Sequence, residues 1–133
     1  MHSKLMEIVR GMKTSPGAST ESLEDLMTRL DHQLPSDYVT LMQITNGAEG
    51  PLGSSYLVIW PVEEVVPLNE ANAVAEFAPG LVLFASDGGS KGYGFDTAAD
   101  GLPIVAVDLI LTDVVEQMGP GLLEFFEKIA AAG

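Results

Sequence analysis

Apolar positions recur at helical spacing from the start of the chain. Leu5, Ile8, Val9 and Met12 share one face of a helix predicted over residues 4–13, which Gly11 weakens. Residues 14–19, TSPGAS, read as a loop. A second helix is predicted from about Glu21 to His32, with Glu21, Glu24 and Asp25 near its positive N-terminal end and Leu23, Leu26, Met27 and Leu30 as its apolar stripe. Leu34-Pro35 breaks it. A third helix starts near Ser36, with Tyr38, Leu41, Met42 and Thr45 on one side, and Asn46-Gly47 stops it because both residues tolerate a left-handed cap.

The period then changes. Residues 56–60, YLVIW, are β-branched and aromatic and read as a strand closed by Pro61. A helical region runs from Glu63-Glu64 through Asn69 to Phe77 and ends at Pro79-Gly80. Residues 81–86, LVLFAS, form a second strand. Asp87-Gly88-Gly89 is a turn signal, and residues 92–96, GYGFD, return as a third strand with Tyr93 and Phe95 on one face. After a turn at 97–101, residues 103–111, PIVAVDLIL, make a fourth strand. Pro120 opens a last helix carrying Leu122, Phe125, Phe126 and Ile129. The expected fold class is α+β: an antiparallel meander of about four or more strands flanked by helices, since the turns are too short for crossovers. A length of 133 residues fits one domain with a real hydrophobic core.

Charge changes the picture more than composition does. Six Lys and Arg face 19 Asp and Glu, for a net charge of −13. Residues 1–13 carry +2, and the remainder carries −15. Eight carboxylates and no Lys or Arg lie between Arg29 and Lys91. Such a field repels nucleic acid and anionic membrane and speeds encounter with a basic partner. Solubility alone is the plainer explanation of the same charge. The N-terminus lacks the continuous apolar stretch of a secretory signal, and the longest apolar runs are too short to cross a bilayer. The expected location is cytoplasmic.

Candidate chemistry is sparse. The absence of cysteine excludes a disulfide, a zinc-thiolate site and a thiol nucleophile. His2 and His32 stand 30 residues apart outside any paired ligand motif, and both are expected in solvent. Asp96 to Gly101 lacks the ligand spacing of a calcium loop. Ser86-Asp87-Gly88-Gly89 lacks the strand–turn–helix setting of a nucleophile elbow. The glycines at 88, 89, 92 and 94 do not match a phosphate-binding loop, and Asp87 and Asp96 would repel phosphate. Glu63 and Glu64 are adjacent, so they do not share a helical face as an acid/base pair would. Trp60, the only tryptophan, suits the core more often than an interface, although tryptophan is also enriched at binding hot spots. No cofactor and no metal site is expected.

Several of these features occur in a recognisable order. Leu34-Pro35-x-Asp37-Tyr38 is followed by Asn46-Gly47-x-x-Gly50, then by Trp60 with Glu63-Glu64 and Asn69. Pro79-Gly80-Leu81, Phe84-Ala85-Ser86-Asp87-Gly88-Gly89 and Tyr93-Gly94-Phe95-Asp96 come next, with Pro103-Ile104 and a closing helix from Leu122 to Ile129. This ordered set, over roughly residues 20–130, resembles the SUKH superfamily, which includes fungal regulators of cell-wall assembly and many bacterial immunity proteins. Ser90 and Lys91 depart from it, standing where many relatives extend the glycine run.

The resemblance implies helices packed around an antiparallel sheet and a binding function without catalysis. Bacterial members of the superfamily often neutralise a cognate toxin, frequently a nuclease, and fungal members act as interaction hubs. The leading expectation is therefore an immunity-type protein that occludes a basic toxin domain by direct contact, with no nucleic acid or membrane partner. Trp60, Glu63, Glu64, Asp87, Tyr93 and Asp96 are its candidate contact residues. A housekeeping scaffold or regulatory module of the same fold is the alternative. A small hydrolase or nucleotide-binding protein built on the glycine-rich hairpin is a third, less favoured, reading.

Overall fold

The computed structural model describes residues 2–132, with no side-chain account of residues 2, 3, 115 and 132, so the expectation for His2 lies outside the described residues. The elements in chain order are α1 (His2–Arg10), β1 (Lys13–Thr14), α2 (Thr20–Leu30), α3 (Ser36–Ile44), β2 (Ala48–Leu52), β3 (Ser55–Ile59), α4 (Val62–Ala71), α5 (Val74–Phe77), β4 (Leu81–Ser86), β5 (Lys91–Asp96), β6 (Ile104–Asp108), β7 (Asp113–Gly119) and α6 (Leu122–Ala132). The seven strands form one sheet in the order β1-β2-β3-β4-β5-β6-β7, with every neighbouring pair antiparallel. The fold is an α+β meander flanked by helices, as the pattern predicts.

Three strands exceed the four expected. β1 lies at the edge of the predicted loop and is only two residues long. β2, AEGPL, contains Gly50 and Pro51, which weaken any local strand signal. It is a strand because β1 and β3 pair with it on either side. β7, DVVEQMG, follows a turn hidden inside the run read as one strand over 103–111. The Asp108 carboxylate accepts hydrogen bonds from the Ile110 and Leu111 amides, both at 2.9 Å, and ends β6 there. The helical region 63–77 is also divided, because Ala73 takes a left-handed conformation (φ 52°) between α4 and α5.

The core is one cluster. Tyr93 and Phe95 of β5 face it, opposite Ala106 and Ile104 of β6. Phe84 stacks on Phe95 at 4.5 Å, Tyr38 meets both rings edge-on at 5.6 and 5.4 Å, and Phe125 of α6 meets Phe84 at 5.6 Å and Tyr93 at 5.0 Å. Edge-to-face and offset pairs of this kind add to the area they bury. Phe84 projects into the group because β4 bulges between Leu83 and Ala85. On the opposite face Gly94 lets β4 approach closely: a Cβ there would stand 2.6 Å from the Val82 carbonyl oxygen.

Candidate protein-binding surface

The polar residues of the recognisable motifs do architectural work. Asp37, in the first turn of α3, accepts hydrogen bonds from the Tyr38 amide (2.7 Å) and, with its other oxygen, from the Leu122 amide (2.9 Å) at the start of α6. A carboxylate at a helix N-terminus satisfies an orphan N–H and complements the helix dipole. Asn46 does the same for α4. Its Oδ1 accepts from the Val62 amide and its Nδ2 donates to Glu63, both at 2.8 Å. Gly47 follows at φ +92°, where a Cβ would stand 2.8 Å from the Ile59 carbonyl oxygen.

Asn69 replaces a strand. β3 pairs with β4 only at Val58–Ser86 and Ile59–Ala85, with one further bond from the Trp60 amide to the Phe84 carbonyl. Beyond that point the Asn69 side chain accepts from the Leu83 amide and donates to the Leu83 carbonyl, each at 2.9 Å. The backbone polar groups that β3 leaves behind are thereby paired.

The six candidate contact residues do not converge on one place. Trp60 is 6% exposed and belongs to the core. What remains of its surface borders a shallow groove of about 240 Å³ with Lys13, Glu49, Val58 and Glu64. Glu63 lines a separate groove with Asp25 and Arg29. Its carboxylate is partly engaged by Asn46. Asp87 and Tyr93 share a cleft of about 290 Å³ with Tyr56, Lys91, Glu116 and Lys128. Asp96 lies at the other end of β5, where its Oδ1 accepts from the Ala98 amide.

Asp87 builds the hairpin between β4 and β5. Its Oδ1 accepts from the amides of Gly89 (2.8 Å) and Lys91 (3.2 Å), an arrangement that leaves Oδ2 outside the turn's bonding. Burial, with the negative charges of Asp87 and Glu116 adding to it, pushes the Tyr93 phenol up to about 12. The phenol is therefore a neutral hydroxyl at neutral pH, in a cleft where Asp87 and Glu116 stand with Lys91 and Lys128. His32 is half-buried, and its Nδ1 lies 2.7 Å from the Gln33 carbonyl oxygen.

Several surface residues escape the sequence reading. Glu116 and Lys128 form an ion pair at 3.2 Å across the Tyr93 cleft, and the Tyr56 hydroxyl donates to Glu49 at 2.7 Å. Ile110 and Leu111 are 76% and 72% exposed, and Val114 is 49% exposed. The signal for the last group was Asp108, a turn-former inside an apolar run. Among the described residues no group of three or more His, Cys, Asp or Glu side chains is placed to hold a metal ion. No helix among them is long and apolar enough to cross a membrane.

The distinctive polar residues of this α+β sheet serve as caps, turns and backbone clamps. The model of the SMI1 / KNR4 family (SUKH-1) matches residues 17–128, and the chain belongs to that family. At the family level this is a non-catalytic interaction domain. Among curated proteins, none matches the chain.

Proposed function

We propose that this chain is an immunity protein: a cytoplasmic single domain, spanning residues 1–133, that binds a cognate toxin directly and blocks it. The observation that carries the reading is the charge. Nineteen Asp and Glu stand against six Lys and Arg, while the described residues hold two ion pairs, Arg29–Asp25 and Lys128–Glu116. The surplus of carboxylates faces solvent and suits a basic target such as a nuclease domain, whose substrate phosphates the carboxylates would mimic. It disfavours nucleic acid and anionic membrane as partners. Of the six candidate contacts, Asp87 and Tyr93 form the centre of the proposed surface: they share a polar cleft with Tyr56 and Glu116, in which Lys91 and Lys128 also stand. Trp60, Glu63, Glu64 and Asp96 extend the surface to its periphery.

Co-expression with the product of the adjacent open reading frame tests the proposal. The expected result is rescue of growth and a complex that weakens as salt rises. Absence of both binding and rescue removes the immunity role and leaves the housekeeping alternative.

A further inference from the structure

The two edges of the sheet are built differently. At one edge β1 is two residues long and begins with Lys13. Shortness and a lysine are ordinary ways of guarding an edge against strand addition. At the other edge β7 runs for seven residues and, among the described residues, pairs with β6 alone. Two features guard it: Lys128 of α6 donates to the Gln117 carbonyl at 2.8 Å and pairs with Glu116, and the pairing with β6 shifts register between Val114 and Glu116 and again before Gly119. Lys128 lies over the second half of the strand and not over the first half, which starts at Asp113.

The turn leading into that first half displays apolar side chains on a fixed backbone. Asp108 ties down the Ile110 and Leu111 amides, and Thr112 follows in a left-handed conformation at φ 54°. Ile110, Leu111 and Val114 are three of the five large hydrophobic residues exposed among the described residues. Val114 stands opposite Val107, while Glu116 stands opposite Ala106 on the Tyr93 face. Val114 and Glu116 thus point to opposite faces of the sheet, Glu116 toward the Tyr93 cleft. Asp108, Asp113 and Glu116 flank the apolar residues in sequence; Lys91 stands opposite Asp108 on the neighbouring strand, and Lys128 pairs with Glu116.

We infer that the open edge of β7 is a strand-addition site for an extended cationic segment of a protein partner. Backbone pairing with β7 supplies the affinity, and alternate side chains set the specificity. Apolar side chains of the segment cover Ile110, Leu111 and Val114, and its basic side chains meet Asp113 and Glu116. A second copy of this chain is a poor occupant, since it brings the same carboxylates and a net charge of −13 to the contact, and its β1 edge offers two residues. The inference rests on the protein-binding reading above and says where the partner docks.

The probe is a capped peptide of about ten residues alternating lysine and valine, titrated into the isotope-labelled full chain at low salt. Two controls accompany it: a glutamate–valine peptide, and the lysine–valine peptide with alternate backbone amides methylated. The expected result is amide shifts concentrated in residues 108–117 and slowed hydrogen exchange in β7 with the first peptide only. Ile110→Lys with Leu111→Lys should weaken binding by about tenfold or more without altering the circular dichroism. Four results overturn the inference: no binding, equal binding of the methylated peptide, shifts confined to the Tyr93 cleft, or concentration-dependent protection of β7 without peptide, which would identify a second copy as occupant. The toxin assay separates this inference from the immunity reading. Full rescue by the double variant leaves immunity standing and removes the docking site. Peptide pairing with β7 alongside failed rescue by the unsubstituted chain does the reverse.

Discussion

The clamp formed by α3, α4 and α6 and the hairpin formed by β6 and β7 use the same residue types to opposite ends. In the clamp, Asp37, Asn46 and Asn69 reach across the fold and end on backbone amides of other elements. In the hairpin, Asp108 bonds only within its own turn, and the result is to present Ile110 and Leu111 to solvent. The clamp residues belong to the ordered motifs by which the family is recognisable, and the hairpin tip belongs to none of them. For these residues, recognition of the family is therefore recognition of a scaffold, and the shared motifs are silent about the hairpin tip. This fits the general division in which fold and function are carried by different residues.

The comparison breaks first at Asn69. Asn69→Ala strands the Leu83 amide and carbonyl in a part-buried setting and should cost about 1–3 kcal/mol in denaturant unfolding. An unchanged midpoint would mean that β4 needs no surrogate strand. Asp37→Ala removes the cap of α6 and should cost about 0.5–2 kcal/mol by the same measurement. Loss of α6 order by hydrogen exchange ahead of global unfolding would place the defect at Leu122.

Alkaline pH sharpens the contrast from the core side. Tyr38 is buried with its hydroxyl unpartnered by any protein group, and burial raises its phenol above the ordinary value, as it does that of Tyr93 to about 12. For an acid whose pKa rises on folding, the neutral form is the one the native state favours. The stability this contributes is fully present below about pH 10 and is lost as pH rises through and beyond that value. Unfolding midpoints should thus fall above about pH 10, and less steeply in Tyr38→Phe. At neutral pH Tyr38→Phe should be unchanged or more stable by up to about 1 kcal/mol. The smallest effect belongs to the hairpin: Ile110→Ser with Leu111→Ser should move stability by no more than about 0.5 kcal/mol. A larger loss would make the tip part of the scaffold.

Much of the fold was legible. The helices announced themselves through stripes such as Leu23, Leu26, Met27 and Leu30, and β4 and β5 through the turn at Asp87-Gly88-Gly89. What was missed had weak or misleading local signals. Gly50 and Pro51 argue against a strand that two neighbours nonetheless impose, and Asp108 sits in a run apolar enough to pass as one strand. The candidate surface was less legible than the fold. Of six residues chosen for type and position, Trp60 and Glu64 share one groove, Glu63 lines a second, Asp87 and Tyr93 share a cleft, and Asp96 lies at the far end of β5. Glu116 and Lys128 join that cleft from β7 and α6, whose proximity to the hairpin follows from sheet order and helix packing.

By itself the sequence determined the class of fold, the helical faces, the central hairpin and the acidic field, because these follow from period, turn chemistry and charge, all read within a few residues or summed over the chain. Tertiary structure alone decided that β2 and β7 are strands and that Asn69 substitutes for one. It alone decided that Asp37 caps a helix 85 residues away, and that the sheet ends on a two-residue strand at one edge and a seven-residue strand at the other. These depend on which distant backbone groups are brought within hydrogen-bonding reach, and a linear pattern carries no record of that.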